Sequence, residues 1–228
     1  MLASPTGSEM AARQRRFLDR VEAGELLGEV LTGLVRPPLI VLGIPRGGVV
    51  VAARVAARLG APLDVVVPRK VGAPGNPELA VGAVADGVQA LDEPAIRRLG
   101  LDMAAVRAEA TRQTAEVARR TAAYRDGLPP LELAGRMAVL VDDGVATGWT
   151  CAAAASYTRR AGATRVLVAV PVGPPDLAER LSPVVDQVVV LLTPDPYLNV
   201  GQAYEQFPQV DDDEVLRCLQ ERRASTPR

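Results

Sequence analysis

Histidine is absent from the 228-residue sequence, and cysteine occurs only twice, as Cys151 and Cys218. The two cysteines lie far apart and form no Cys-x-x-Cys pair. Histidine and closely spaced cysteines supply the ligands of most zinc sites, and histidine is the commonest general base. These absences exclude a zinc enzyme and a Ser-His-Asp hydrolase.

A long hydrophobic run is missing as well. No segment reaches the roughly 20 apolar residues that a membrane-spanning helix requires, and the N-terminal segment MLASPTGSEMAARQRR is too polar for a signal peptide. Lysine plus arginine (26) nearly balances aspartate plus glutamate (27), so the chain lacks the general positive field that attracts nucleic acid. We therefore expect a cytoplasmic protein that binds neither membrane nor nucleic acid.

Short runs of valine, leucine and isoleucine alternate with helical segments along the chain. Strands are predicted in PLIVLGIPRGG (38–48), PLDVVVPRKVG (62–72), ELAVGAVADG (78–87), RMAVLVDD (136–143), TRVLVAVPVG (164–173) and DQVVVLLTP (186–194). Helices are predicted in VVVAARVAARLG (49–60), TCAAAASYTRRAG (150–162) and DLAERLS (176–182). This alternation is typical of an α/β fold with a mostly parallel sheet and helices on both faces. Ligands of such sheets bind at the carboxyl ends of the strands.

The length and a hydrophobic content of 48% indicate a single domain, which we place at residues 13–220 between flexible tails at 1–12 and 221–228. Apolar residues recur at helical spacing over 17–34, and Gly24 is expected to divide that region into two short helices that pack as a lid on the sheet.

The segment 102–126 predicts one long helix, with Asp102 as its N-cap and Gly127 as its stop. Its arginines suggest a nucleic-acid helix, but Glu109 and Glu116 are interleaved with them. The mixed charge favours a helix that faces solvent or a second subunit.

Two adjacent carboxylates, Asp142 and Asp143, follow the apolar strand 138–141. After them come the small-residue loop 144–148 and a helix that is predicted to begin near Thr150. Backbone N–H groups and a helix N-terminus form a cradle for an anion, most naturally a phosphate. Carboxylates instead suit hydroxyl groups or a divalent cation. A ligand that carries sugar hydroxyls next to a phosphate would satisfy both parts.

Other phosphate motifs do not fit the spacing. The P-loop pattern GxxxxGK[ST] is absent, GIPRGG lacks the first Gly-x-Gly of a dinucleotide fingerprint, and the acids are adjacent where a phosphotransferase has Asp-x-Asp. The remaining alternative is a strand that simply turns through Asp-Asp-Gly without a ligand. The attached Ala-Thr-Gly-x-Thr favours a functional loop.

The segment VLVDDGVATGWT (139–150) resembles the phosphoribosyl pyrophosphate (PRPP) motif of type I phosphoribosyltransferases. The resemblance implies that Asp142 and Asp143 bind the ribose 2′- and 3′-hydroxyls. It also implies a 5-phosphate loop, which consists of Gly144, Val145, Ala146, Thr147, Gly148, Trp149 and Thr150. The Trp149 position is variable in the family, and we expect its ring to pack into the core.

Two further segments carry the resemblance. GIPRGG (43–48) is similar to the family's pyrophosphate loop, with Arg46 and Gly47 at the contacting positions. PRKVGAPGNPELAVGAV (68–84) is similar to the second strand and its flexible catalytic loop, with Arg69 and Lys70 as the catalytic cations.

The order of segments from Phe17 to Leu216, including FLDRVEAGELL (17–27) and VGQAYEQF (200–207), is similar to a subgroup of stand-alone phosphoribosyltransferases. The resemblance implies the type I fold with a small hood built from the terminal segments, here including 194–218. It also implies a homodimer. The segment 88–127 is longer than in compact members and is expected to be a helical insertion.

The resemblance implies transfer of the 5-phosphoribosyl group of PRPP to a nitrogen acceptor, expected to be a nucleobase, with release of pyrophosphate. Mg²⁺ is the implied cofactor, held through PRPP with Asp142 or Asp143 as a candidate ligand. Arg46, Arg69 and Lys70 would neutralise the leaving group while GAPGNP (72–77) closes as a lid.

For the acceptor, Asp195 and Tyr197 are weak candidates, because the scarce aromatic residues are concentrated in TPDPYLNVGQAYEQF (193–207). Two other functions stay open at this stage. One is a regulator that senses PRPP or a nucleotide in the same pocket, and the other is an accessory domain that acts with a partner hydrolase.

Overall fold

The structure, a computed structural model, describes residues 16–125 and 132–225. The strands in these residues are β1 (Leu39–Gly43), β2 (Leu63–Val65), β3 (Pro68–Ala73), β4 (Asn76–Ala85), β5 (Val88–Leu91), β6 (Met137–Val141), β7 (Arg165–Val172) and β8 (Gln187–Leu192). The helices are α1 (Arg20–Thr32), α2 (Gly47–Leu59), α3 (Glu93–Arg98), α4 (Met103–Arg125), α5 (Trp149–Arg160), α6 (Leu177–Leu181) and α7 (Asp212–Ser225), with a 3-10 helix at Val200–Ala203. Among the helices of these residues, none has both the length and the apolar content that crossing a bilayer would take.

Five strands form a parallel sheet in the order β2-β1-β6-β7-β8. Alternate residues of its strands belong to two apolar clusters, one shared with α2 and the other shared with α5 and α6. Side chains of a strand point alternately to opposite faces, so this division places helices on both sides of the sheet. The α/β class and the helices on both faces are confirmed.

The remaining strands form a separate antiparallel sheet in the order β3-β4-β5. The sequence predicted one strand in PLDVVVPRKVG, but the chain leaves the parallel sheet after Val65 and enters the antiparallel sheet at Pro68. Val66 and Val67, which connect the two strands along the chain, are buried. A continuous strand-like segment does not reveal that its two halves pair with different strands, and this explains the wrong prediction.

Helix α1 is continuous, and the predicted break at Gly24 is wrong. Gly24 lies where α1 crosses α2: an added Cβ would lie 2.7 Å from the carbonyl oxygen of Val51 and 2.8 Å from the Cβ of Arg54. Gly24 therefore permits close approach of two helices and does not end one. Helix α1 packs mainly on α2, and it also contacts strand β7 of the main sheet.

Two predicted boundaries are corrected. The segment 88–127 is not wholly helical, because it begins with β5, which pairs with β4 before α3 and α4 follow. The C-terminal helix α7 continues through Ser225, and Arg222 donates to the carbonyl oxygens of Ala56 and Ala61 at 3.1 Å. The predicted tail from 221 is therefore helical as far as 225.

The long helix α4 has the expected start, since Asp102 accepts a hydrogen bond from the backbone N–H of Ala104 at 2.9 Å. Its predicted stop at Gly127 and the predicted tail at 1–12 lie outside the described residues.

Substitution Gly24→Ala is expected to lower the free energy of unfolding by about 1–3 kcal/mol, because the added methyl group meets the backbone oxygen of Val51. The intrinsic preference of alanine for helices, roughly 1 kcal/mol, works in the opposite direction. Urea denaturation measures the difference. The control is Gly33→Ala at the end of the same helix, where the added Cβ would be 3.9 Å from the nearest atom and the effect should be small. Equal stability of the two variants would contradict the close helix packing.

Candidate functional site

Asp142 and Asp143 lie at the carboxyl end of β6, against the first residues of α2. An added Cβ on Gly47 would collide with the carboxylate of Asp143, and one on Gly48 would lie 2.8 Å from the Oδ1 of Asp142. The parallel neighbour of β6 is β1, which leads into α2, so the two chain segments meet at the same edge of the sheet. The two glycines let the positive end of the α2 dipole approach the acid pair.

The two carboxylates have different surroundings. The Oδ1 of Asp142 accepts a hydrogen bond from the backbone N–H of Asp143 at 2.8 Å. Burial, followed by the charge of Asp143, raises the pKa of Asp142 well above its usual range. The negative charge of Asp143 is compensated directly, because its Oδ2 accepts a hydrogen bond from the Nε of Arg20 at 2.8 Å.

Arg20 lies in the first turn of α1, and its side chain is only 9% exposed. Besides Asp143, it contacts two residues of the C-terminal segment. Its guanidinium donates to the carbonyl oxygen of Pro208 at 2.7 Å and lies 3.8 Å from the centroid of the Phe207 ring. Arg20 thus joins the start of the fold, the acid pair and the C-terminal segment through an ion pair, a hydrogen bond and a cation–π contact.

Two tyrosines of the C-terminal segment hold the backbone that follows β6. The hydroxyl of Tyr204 donates to the carbonyl oxygen of Asp143, and that of Tyr197 donates to the carbonyl oxygen of Val145, both at 2.6 Å. Phe17 from the N-terminal side packs with Tyr204 at a ring separation of 5.5 Å. The terminal segments therefore come together beside the acid pair and brace its backbone.

The loop 144–148 is anchored at its beginning and open at its end. Gly144 fits closely against Val172, and the N–H of Val145 donates to the carbonyl oxygen of Val172 at 3.0 Å. Gly148, with φ of 87°, turns the chain into α5. Within the described part of the chain, the backbone N–H groups of residues 146–150 have no hydrogen-bond acceptor. Free N–H groups at a helix N-terminus can bind an anion, whereas the N–H of Val145 is already bonded to Val172.

Arg69 and Lys70 lie in strand β3, not in a flexible loop and not at the end of a strand of the main sheet. Strands β3 and β4 form a hairpin closed by Pro74 and Gly75, and Gly75 has a φ of 79°, as a type II turn requires. The predicted catalytic loop at 72–77 therefore includes the tip of a hairpin.

The two hairpin cations are held differently. Arg69 donates from Nε to the Oε1 of Gln113 at 2.6 Å and lies 3.7 Å from Glu116, so helix α4 fixes it. Lys70 is exposed and has no ion pair among the described residues. It is also the only lysine in the sequence, a signal that sequence inspection could have used.

A cleft of about 850 Å³ lies between this hairpin and α4. Its polar lining residues are Arg69, Lys70, Glu109, Arg112, Gln113, Arg120 and Thr150. Thr150 is in the first turn of α5, so the cleft opens beside the anion loop. A ligand bound at the loop would lie next to this cleft.

The sequence matches the family model described as a phosphoribosyl transferase domain over residues 21–202. This chain belongs to the phosphoribosyltransferase family. The resemblance drawn from VLVDDGVATGWT is thereby confirmed.

Two named relatives and one solved structure are similar to this chain over most of its length. Two proteins of Mycobacterium tuberculosis, from strains H37Rv and CDC 1551, carry provisional names as phosphoribosyl transferases and are each 47% identical over 204 residues. The match covers 89% of this chain and 46% of theirs, so the chain spans about half the length of the curated relatives it matches. The crystal structure of the protein TT1426 from Thermus thermophilus is 47% identical, with a TM-score of 0.79 over 90% of this chain and 98% of that one.

In this member of the phosphoribosyltransferase family, the geometry brings together the acid pair, the anion loop and Gly47. Arg46 is the exposed N-cap of α2, and Trp149 packs partly against the core as expected. Asp195 is exposed, and the Tyr197 hydroxyl is already bonded to the loop backbone. The concentration of aromatic residues reflects this bracing, which weakens the prediction that Tyr197 binds an acceptor.

Arg20 is the residue of the site that sequence reasoning missed. It is one of 26 basic residues, and the resemblance of its segment FLDRVEAGELL (17–27) to a phosphoribosyltransferase subgroup assigns it no role. Its partner Asp143 is 123 residues away in the chain. Only the fold reveals the pair.

All four tyrosines should ionise above their ordinary pKa in the folded protein, and Tyr124 and Tyr157 should stay protonated at pH 10. Burial is the main cause that raises the pKa of Tyr197 and Tyr204, and it raises the pKa of Tyr124 and Tyr157 to about 12. A raised pKa favours the neutral form in the folded state, so this stabilisation is complete below pH 10 and is lost as pH rises through about 12. Spectrophotometric titration should show little tyrosinate at pH 10 until denaturant is added. Ionisation of any tyrosine at its ordinary pKa in the folded protein would contradict this packing.

Proposed function

We propose that this protein transfers the 5-phosphoribosyl group of PRPP to a nitrogen acceptor, a nucleobase, and releases pyrophosphate. The observation that carries the proposal is the unbroken succession of acid pair, anion loop and helix N-terminus at the end of β6. Carboxylates accept hydrogen bonds from hydroxyls, whereas free backbone N–H groups at a helix N-terminus bind phosphate. PRPP carries both groups on the same ribose. Membership of the family supports the same assignment.

In this proposal, Asp142 and Asp143 bind the ribose 2′- and 3′-hydroxyls. The amides of residues 146–150 and the hydroxyls of Thr147 and Thr150 bind the 5-phosphate. Anchoring of the loop to Val172, together with the two tyrosine hydrogen bonds, holds these groups in place before the ligand arrives. Prepositioned groups lose less entropy when they bind.

The pyrophosphate would lie at the start of α2, where Gly47 permits close approach and Arg46 supplies a cation. Lys70 and Arg69 would add positive charge from the hairpin. Displacement at C1 of the ribose, with inversion, develops negative charge on the leaving pyrophosphate and oxocarbenium character on the sugar. Stabilising that leaving group and holding the reactants in line would supply most of the catalysis.

Magnesium fits this site as part of a complex with PRPP. Mg²⁺ commonly binds one or two carboxylates together with substrate phosphates and water, and Asp142 or Asp143 would be the carboxylate ligand. In residues 16–125 and 132–225, no group of three or more acidic, cysteine or histidine side chains could form an all-protein metal cage. The ion would neutralise part of the charge on pyrophosphate.

For the acceptor we propose the cleft between the hairpin and α4. It adjoins the anion loop through Thr150. The described lining has no aromatic ring, so hydrogen bonds to groups such as Glu109 and Gln113 would hold a nucleobase.

A regulator that senses PRPP is less well supported. Its main support in the sequence was the row of arginines on α4. Arg112 pairs with Glu109, and both Arg119 and Arg120 pair with Glu116. These ion pairs within one helix reduce the positive charge that is available to nucleic acid.

PRPP with Mg²⁺ should raise the melting temperature, because a ligand that binds only the folded state stabilises it. The double substitution Asp142→Asn with Asp143→Asn should abolish the rise. Removing two negative charges would by itself favour a polyanion, so the loss of binding would show that the acids contact the sugar.

The control for this measurement is Glu25→Gln with Asp213→Asn, which removes two exposed carboxylates and should leave the rise intact. No rise for the wild-type protein at millimolar PRPP, or an equal rise in the Asp142 and Asp143 variant, would overturn the assignment of the ribose site.

Lys70→Ala should slow pyrophosphate release at least about tenfold while changing PRPP affinity less, because a leaving-group cation acts mainly as charge develops. Release is to be followed across a panel of nucleobases, which also identifies the acceptor and distinguishes an enzyme from a sensor. Arg97→Ala, an exposed cation on α3, is the matched control. Equal losses in affinity and rate would assign Lys70 to simple binding.

Since Lys70 is the only lysine, an amine-directed reagent has a single side-chain target. PRPP should protect Lys70 from modification, and mass spectrometry can distinguish it from the α-amino group. Unchanged labelling in the presence of saturating PRPP would place Lys70 outside the site.

A further inference from the structure

We propose that Arg20 is a positioning residue for ribose recognition, which acts by fixing the Asp143 carboxylate. The inference rests on the proposed PRPP site and adds to it a residue from the other end of the chain. Arg20 does not need to touch the ligand. It determines where the carboxylate points and how much negative charge the ligand meets.

The ion pair to Arg20 occupies one oxygen of the Asp143 carboxylate. The Nε of Arg20 binds Oδ2 of Asp143 at 2.8 Å, and the exposed fractions of the two side chains are 9% and 16%. A charge-assisted hydrogen bond in such a sheltered place restricts rotation of the carboxylate. Oδ1 is then held in a fixed direction, as recognition of a ribose hydroxyl requires.

The guanidinium is itself held from two other sides. The carbonyl oxygen of Pro208 accepts its hydrogen bond at 2.7 Å, and the ring of Phe207 lies 3.8 Å away. Phe207 in turn stacks on Tyr204 at a ring separation of 4.9 Å. Pro208 and Phe207 therefore help to set the orientation of Arg20, in addition to Asp143.

Charge gives Arg20 a second effect. Two adjacent carboxylates repel a polyanion such as PRPP, and the guanidinium offsets one of their charges at contact distance. A neutral residue at position 20 would leave the pair uncompensated on that side.

A purely structural role would be to tie the terminal segments together, but backbone hydrogen bonds already do this. The N–H of Phe17 donates to the carbonyl oxygen of Ala203 at 2.8 Å, and the N–H of Glu205 donates back to Phe17 at 2.8 Å. The N–H of Gln206 donates to Leu18 at 2.9 Å. The ion pair to Asp143 is not needed for this attachment.

The test compares ligands that contain different parts of PRPP. Arg20→Gln should weaken the binding of PRPP and of ribose 5-phosphate at least about tenfold, because a charged hydrogen bond to Asp143 is lost. Binding of pyrophosphate alone should change less than about twofold, since its proposed contacts are elsewhere. Arg20→Lys keeps the charge but loses the guanidinium geometry, and it should recover part of the affinity. Arg58→Gln, an exposed arginine of α2, is the control.

A double-mutant cycle identifies the route of the effect. In an Asp143→Asn background, Arg20→Gln should cause little further loss of ribose 5-phosphate affinity, since the two residues act as one unit. Isothermal titration calorimetry measures each binding constant, and thermal melting checks that each variant folds. If Arg20→Gln does not fold, Arg20→Lys carries the same comparison with a loss of about threefold.

Three results would overturn the inference while leaving the proposed function intact: unchanged ribose 5-phosphate affinity, an equal loss for pyrophosphate, or losses that add across the cycle. A wild-type protein that binds neither PRPP nor ribose 5-phosphate would overturn the proposed function and this inference with it.

Discussion

The site depends on holding two carboxylates side by side at the end of β6, where like charges repel. Three groups make the arrangement possible. Gly47 and Gly48 bring the positive end of α2 against the pair, Arg20 forms a sheltered ion pair with Asp143, and the backbone N–H of Asp143 donates to Asp142. Removing any one of these groups would leave negative charge less compensated in a partly buried place, where the local dielectric is low. Arg20 comes from near the N-terminal end of the described residues and its contacts Phe207 and Pro208 come from near the C-terminal end, so both regions meet at the acid pair.

The few aromatic residues of the chain are concentrated beside this acid pair, where they support the backbone of the loop. With only 3% aromatic content, the chain places Phe17, Tyr197, Tyr204 and Phe207 in one region. Two of their hydroxyl groups bond to backbone carbonyl oxygens at either side of Gly144, and the rings pack on each other and on Arg20. A loop whose carbonyl oxygens are held in this way can keep the N–H groups of its later residues free for an anion. The aromatic cluster is therefore tied to the geometry of the loop, and this accounts for its position without a stacked base.

Local features of the site could be predicted from the sequence, whereas features that depend on distant partners could not. The strand ahead of Asp142, the glycine loop and the helix start near Thr150 all follow from contiguous residues, and the structure has each of them. Periodicity does not specify which strand pairs with which, so the transfer of the chain from the parallel to the antiparallel sheet between Val65 and Pro68 was missed. Gly24 was misassigned because its packing partner, Val51, belongs to another helix. Arg20 was missed because its partner is 123 residues away.

The contrast between Arg69 and Lys70 suits the proposed reaction better than two similar cations would. Arginine presents a rigid planar fork, and Arg69 uses it to attach the hairpin to Gln113 and Glu116 of α4. Lysine is a compact charge on a flexible stem, and Lys70 stays exposed on the same strand. A stationary arginine keeps the hairpin beside the cleft, while a flexible ammonium group can follow charge that moves onto the leaving pyrophosphate. The hydrogen bond and ion pair of Arg69 attach the hairpin to α4, so in the proposed reaction this helix would help to position Lys70.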